Sequence, residues 1–346
     1  MVTQVGQDLG AGLDEVDVIA VPLLSLVSRR RVVRTLGLLA VADQRGLLAH
    51  EQIELATDDV GEASTPEHRP RLAPLLGLFI RTWNLFHGNA QPPERHAYLA
   101  EMVRLASADR PDILCLQELP VWSLPHLAAW SGMQAFGDVA QPARLGPLPI
   151  PAELGRAVTS LHHGVFRSAV TGQANAILLP ADAEALVRHV LVLNNRGFRS
   201  VQAHWLGLGL VARLAWAKER RIVQVIRARM DGSTVVVANL HATSYPADQR
   251  LADAELMRAA VFTDGLAEPE DVVVLAGDFN VQAARSATQA DLVGCDWGFS
   301  EPLSEGIDQI LVRGAAVEDV ARWPRERRLR DGRILSDHTP VEARAA

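Results

Sequence analysis

From residue 76 onward, apolar residues recur mostly with the two-residue period of strands. "LGLFIRTWNLF" (76–86) alternates, and "PDILCLQEL" (111–119) is a short apolar run of the kind that lies buried in a sheet. "ANAILLP" (174–180), "EALVRHVLVL" (184–193) and "RRIVQVIRARM" (220–230) read the same way. Asp231-Gly232 is hairpin-turn chemistry and leads into "STVVVANLHA" (233–242). "DVVVLAGDFN" (271–280), "GIDQILVRG" (306–314) and "HTPVEARA" (338–345) supply the remaining strands. Two stretches carry helical spacing instead. In "PPERHAYLAEMVRLASAD" (92–109) Tyr98, Met102 and Leu105 share a face, and "DQRLADAELMRAAVFTDGL" (248–266) is amphipathic.

Strands outnumber helices, and both helices fall between strands. That pattern predicts an α+β sandwich, two sheets packed face to face with helices outside. Residues 133–165, rich in Pro, Gly and His, predict a long loop. Residues 1–76 have a different texture. "SLVSRRRVVRTLGLLAVADQRGLLAHEQIEL" suits one or two amphipathic helices, and "DDVGEASTPEHRPR" reads as a linker. No chemistry clusters there. The division is therefore an N-terminal extension over 1–76, poorly ordered or helical, and one domain over 77–346.

Composition narrows the class. A 48% hydrophobic share with 22% charged residues is that of a soluble globular protein. The net charge of −7 argues against holding duplex nucleic acid by bulk electrostatics alone. Lys218 is the single lysine among 34 basic residues, so arginine abundance by itself says nothing about phosphate. Cys115 and Cys295 are far apart and form neither a CxxC nor a metal spacing. The apolar run "VIAVPLLSLV" is too short to span a bilayer and lacks a basic segment before it. A cytoplasmic monomer is expected.

Several strands end, or turn over, on polar residues. Asn84 follows "FIRTW", Glu118 follows "DILCLQ", and Asn239 and His241 lie in "VVVANLHA". Asp278 and Asn280 close "LAGDFN", Asp308 opens "DQILV", and Asp337-His338 stand in "LSDHTPV". Singly, each suits a turn, a solvated edge or a hydrogen-bonded core position. Together they are oxygen ligands for a hard cation and imidazoles for acid–base work near neutral pH.

In order, "TWN", "QE", "NLHA", "GDFN", "IDQI" and "SDHTPVE" resemble the endonuclease/exonuclease/phosphatase superfamily over residues 77–345. DNase I, exonuclease III, apurinic endonucleases, sphingomyelinases and inositol polyphosphate 5-phosphatases belong to it. The resemblance implies a DNase I-like four-layered α/β sandwich and Mg²⁺-dependent phosphoester hydrolysis, with Mn²⁺ a possible substitute. It also implies that Glu118 is the principal metal ligand, with Asn84 and Asp337 nearby. Asp278 would orient or deprotonate the attacking water, and Asn280 would hydrogen-bond a phosphate oxygen. His241 would contact the scissile phosphate, with Asn84 and Asn239 beside it, and Asp308 would pair with His338. Asp278 and His338 compete as general base.

Arg221, in "ERRIVQV", falls where such proteins often place a phosphate-facing arginine, though sequence does not separate it from Arg220. Six arginines in "RWPRERRLRDGR" (322–333) suit either a polyanion grip or a solvated loop. Nucleic acid is the commonest substrate implied, which makes a phosphodiesterase or nuclease the leading expectation. A phosphatase or sphingomyelinase-like phospholipase acting on a lipid or inositol phosphate is the alternative. "GDFNVQ" departs from the "GDxNYR" of the inositol phosphatases, and "IDQI" from the Asp-Tyr of apurinic endonucleases. A non-catalytic phosphate-binding module would be expected to lack Glu118 or His338, and both are present.

Overall fold

A computed structural model describes residues 77–93, 95–145, 148–159 and 171–346. The predicted extension over 1–76 lies outside the described residues. In chain order the main elements are β1 (Leu78–Asn84), α1 (Leu99–Ser107), β2 (Ile113–Leu119), β3 (Gln134–Gln141), β4 (Gln173–Leu179) and β5 (Glu184–Val192). Then follow α2 (Arg196–Trp205), α3 (Leu210–Ala217), β6 (Ile222–Met230), β7 (Ser233–His241), α4 (Arg250–Asp264) and β8 (Val272–Asp278). β9 (Asp308–Arg313), β10 (Val317–Arg322) and β11 (Val341–Ala345) complete the set.

The strands form two sheets, ordered β10-β11-β1-β2-β4-β3 and β9-β8-β7-β6-β5. Each sheet holds one parallel pair at its centre, β1 with β2 and β7 with β8. Parallel neighbours need a crossover, and α1 and α4 provide the two. Alternation then sorts the side chains. Ile80, Cys115, Ile177, Val237, Val274 and Ile310 meet between the sheets. Their neighbours one position along face outward. Val236, Ala238, Val273 and Leu275 pack with Ala252, Leu256 and Ala259 of α4, while Trp83, Leu114 and Leu116 pack with Leu99, Met102 and Val103 of α1. Helix, sheet, sheet and helix are the four layers, and the sandwich expected from the sequence is the observed one.

The predicted loop over 133–165 is only partly a loop. Gln134–Gln141 is an edge strand paired antiparallel with β4, Arg144–Leu145 and Leu148–Pro149 form a small hairpin, and Ala152–Thr159 is helical. Residues 146–147 and 160–165 of that segment lie outside the described residues. An edge strand needs only one pairing partner and carries mixed side chains, so "QAFGDVAQ" gives a weak apolar signal. α2 and α3 were also not foreseen.

Candidate active site

One end of the cleft between the sheets is polar. Along each inward-facing row the apolar residues give way, in the last one or two positions, to amides, carboxylates and imidazoles. Register makes them neighbours: His241 is paired with Asp278 across β7–β8, and Asp278 with Asp308 across β8–β9. Asp278 Oδ2 is the hub. It accepts a hydrogen bond from Asn84 Nδ2 at 3.1 Å across the cleft, and lies 3.5 Å from His241 Nε2 and 3.8 Å from His338 Nε2.

Gly277 is what lets β8 deliver that aspartate. Its φ is +140°, and a Cβ there would sit 2.0 Å from the Leu240 carbonyl oxygen. The strand stops at Asp278. Asn280 is reached by a turn in which its N–H donates to Asp278 Oδ1 at 3.0 Å, its backbone being left-handed at φ 50°. It does not continue a strand row, as simple alternation would have it. Its Nδ2 donates to the Ala242 carbonyl at 2.9 Å, which aims the amide along the cleft edge.

His338 comes from the loop before β11 and is held from several sides. Its N–H donates to Ser336 Oγ, which in turn donates to the Asn84 carbonyl at 2.6 Å. Its carbonyl accepts from Trp83 Nε1 at 3.1 Å and Arg328 Nη1 at 2.8 Å. Its Nδ1 lies 2.9 Å from Asp308 Oδ2, the predicted pair. Burial disfavours the imidazolium, but the charges of Asp278 and Asp308 outweigh that and raise the His338 pKa above its ordinary value. His241 moves the other way. Burial, then the charges of Arg221, His338 and His87, push it well below the ordinary range, so it is a neutral imidazole. The Asp278 carboxyl is raised, by burial first and then by Asp308 and Glu118.

Glu118 arrives by an irregularity. Alternation along β2 would turn it outward with Leu114 and Leu116. A register shift between Leu116 and Leu119, with Glu118 left-handed at φ 52°, turns it into the cleft instead. Its carboxylate oxygens then stand 3.6 Å from His87 Nε2 and 3.7 Å from His241 Nε2.

Arg221 and Arg220 separate cleanly. Arg220 is exposed, whereas Arg221 is buried with its Nη1 3.0 Å from both ring nitrogens of His241 and 3.3 Å from Gln173 Oε1. Asn239 does not join the site as a phosphate contact. Its side chain is fully buried one step deeper, where Nδ2 donates to the carbonyls of Leu116 and Ala176 and Oδ1 accepts from Gln117 Nε2 at 2.7 Å. It ties the two sheets together beneath the polar end. Asp337 is exposed at the margin, where its charge helps hold the proton on His338. Among the described residues, the one group of three ligand-type side chains within 4.8 Å is Asp278, Asp308 and His338, without Asp337.

His87 and Gln173 were missed by sequence reasoning. His87 follows "TWN" in a turn ending at Gly88, and is buried with left-handed backbone at φ 55°. Its place three residues after a motif was the available signal; nothing marks Gln173. Five of the six arginines of 322–333 are engaged by the protein itself. Arg328 braces the carbonyls around His338, Arg327 stacks over Trp323 and reaches Asp109, and Arg330 pairs with Glu101.

The carboxylates of Glu118, Asp278, Asp308 and Asp337 outnumber the cations Arg221, Arg328 and His338 at this end. Burial and then like charges raise Asp278, and oxygen donors in excess are what a hard divalent cation takes. The residues therefore fit such an ion.

Two sheets ending together on this set make the fold a DNase I-like α+β sandwich with a phosphoesterase-type site. Residues 82–338 match the Endonuclease/Exonuclease/phosphatase family, and the chain belongs to that family. It is similar in structure to an endonuclease/exonuclease/phosphatase from Bacteroides vulgatus, with 14% identity over 79% of this chain and 99% of that one, and a TM-score of 0.54. A Beutenbergia cavernae endonuclease/exonuclease/phosphatase gives 17% identity over 78% and 71%, with a TM-score of 0.52. TDP2 of D. rerio complexed with a single-strand DNA product gives 13% over 78% and 99%, with a TM-score of 0.50. Likeness at these identities is one of fold. No curated protein sequence matches the chain.

Proposed function

We propose that this chain is a divalent-cation-dependent phosphodiester hydrolase acting on nucleic acid, with Mg²⁺ the resident ion and Mn²⁺ able to substitute. The observation that carries the reading is the meeting of Asn84, His241 and His338 on one oxygen of Asp278. Glu118 and the Oδ1 of Asn84 would hold the ion, with Asp278 and Asp308 adding charge. Once bound, the ion supplies Lewis-acid stabilisation of the phosphate oxygens.

The protein's own groups divide the rest. Asp278, raised toward neutrality, takes the proton of the attacking water as the new O–P bond forms and the bond to the leaving oxygen breaks. That oxygen departs as an alkoxide and takes a proton from solvent water. His338, kept cationic by two aspartates, is a hydrogen-bond donor to the phosphate and not the base. Neutral His241, backed by Arg221, donates to a second phosphate oxygen, and Asn280 aims its amide at the same group. Opposite pKa shifts on neighbouring groups are how one site supplies a base and a cationic donor at one pH.

The single-strand DNA product bound to D. rerio TDP2 supports nucleic acid as the substrate class. The test is a Mg²⁺ assay across single-stranded and duplex DNA, RNA, abasic DNA, sphingomyelin and inositol phosphates, with Glu118→Ala as control. Turnover of DNA or RNA that Glu118→Ala abolishes is the expected result. Turnover of the lipid or inositol phosphate alone would move the assignment to the alternative class, and activity untouched by Glu118→Ala would remove it.

A further inference from the structure

Between β5 and β6 the chain leaves the second sheet at its catalytic end, forms α2 and α3, and returns at Arg221. Asn194 clasps this excursion. Its Nδ2 donates to the carbonyls of Trp216 at 3.1 Å and Glu219 at 2.7 Å, and its Oδ1 accepts from the Arg221 N–H at 2.9 Å. α3 is anchored on one side only. Trp216 is fully buried, and its Nε1 donates to Glu255 Oε1 at 2.5 Å. The other side presents Leu210 at 72%, Val211 at 72% and Leu214 at 62% exposure, and Trp205 at the end of α2 is 56% exposed. Large apolar side chains gathered this way mark a contact surface.

The same two helices enclose a crevice of about 180 Å³, lined by Arg196, Arg199 and Arg213 with Ser200, Ala203 and Trp216. Arg199 Nε is buried without a hydrogen-bond partner among the described residues. The hairpin is also basic against its background. From 194 to 220 it holds Arg196, Arg199, Arg213, Lys218 and Arg220 against Glu219 alone, in a chain of net charge −7.

We propose that the α2–α3 hairpin docks the protein on an anionic phospholipid surface. The basic side chains of the hairpin, Arg199 among them, meet headgroup phosphates, while Leu210, Val211, Leu214 and Trp205 enter the boundary between headgroups and acyl chains. Charge decides against the other occupants. A second copy would set one basic hairpin against another. The apolar stretch at 18–40 of this chain carries Arg29, Arg30, Arg31 and Arg34, again like charge. Nucleic acid would satisfy the arginines but leave three aliphatic side chains against a phosphate backbone, with Trp205 alone to stack. An anionic lipid surface satisfies both halves of the hairpin, and the hairpin's base is the catalytic edge, at Arg221. The inference goes beyond the proposed hydrolysis, because docking requires no turnover.

The experiment is co-sedimentation of the full-length protein with vesicles of phosphatidylcholine alone or with added phosphatidylglycerol. Binding only to the anionic vesicles is expected. The triple substitution L210S/V211S/L214S should weaken that binding at least about tenfold, since each aliphatic side chain loses its apolar insertion. Arg199→Gln should weaken it as well. Neither variant should alter hydrolysis of a soluble phosphodiester, which also reports that both are folded. No binding to anionic vesicles, or binding unchanged in the triple variant, overturns the proposal. So does a dimer that the triple variant dissociates, or a loss of single-stranded DNA binding with vesicle binding intact.

Discussion

Asp308 and His338 stand 30 residues apart in sequence and 2.9 Å apart in space, joining the first residue of β9 to the loop that precedes β11. The carboxylate fixes the ring, and with Asp278 it sets the charge on it. Asp308→Asn keeps the shape and removes that charge. The kcat should fall about 10²–10³-fold, the usual size for a weakened charge-stabilising donor, with KM little changed. Steady-state kinetics on the best substrate of the panel decides this.

The same pair makes a prediction about stability. His338 has a folded pKa raised above its ordinary 6.5, so its contribution is fully present below that value and is lost as pH rises through the raised one. Denaturant midpoints of the wild type should therefore lose this contribution on going from mildly acid to alkaline pH. In His338→Gln that part of the pH dependence should vanish.

Asn239 separates a structural role from a chemical one. Asn239→Ala strands the Gln117 amide and the carbonyls of Leu116 and Ala176 in the core, each loss costing about 1–3 kcal/mol. Thermal unfolding should shift down strongly, while activity per folded molecule is retained well below the midpoint. Loss of activity at unchanged stability would return Asn239 to the catalytic set.

How much of this was visible in the sequence follows from what alternation encodes. A period of two tells which residues share a face, so the inward set of Asn84, His241, Asp278 and Asp308 was readable. It carries no depth, which is why Asn239, two residues before His241 on the same face, was taken for a phosphate contact. Nor does it foresee irregular backbone. Glu118 points inward only because of a bulge and a left-handed φ, and its motif, not its period, identified it. α3 is only eight residues long, follows Gly207 and Gly209, and turns three aliphatic residues to the outside, so no amphipathic stripe announced it. α2, ten residues with an apolar stripe, was legible in principle.

Gly277 admits no side chain. Gly277→Ala would set its Cβ 2.0 Å from the Leu240 carbonyl oxygen at a φ of +140°, a conflict with backbone that no rotamer relieves. Destabilisation above about 3 kcal/mol is expected, from backbone strain added to a forced separation of β7 and β8. Soluble yield and the unfolding midpoint measure it, and a variant of near-wild-type stability would mean that β8 can end differently.

The choice of base can be settled by two substitutions read together. Burial and like charge raise Asp278, so activity should climb as Asp278 ionises and form the acidic limb of the pH–rate profile. His338 is held as the imidazolium, so activity should decline as it deprotonates and form the alkaline limb. Asp278→Asn removes the proton acceptor and should lower kcat by about 10²–10⁴-fold across the whole range. His338→Gln keeps a neutral donor in the same place, so part of the activity should survive and the alkaline limb should disappear. If His338→Gln erased the acidic limb instead, His338 would be the base and the two roles would have to be exchanged. A bound divalent cation lowers the pKa of nearby carboxylates, so the profiles should be recorded at saturating Mg²⁺ for all three proteins. Under that condition the two limbs differ only in which side chain titrates.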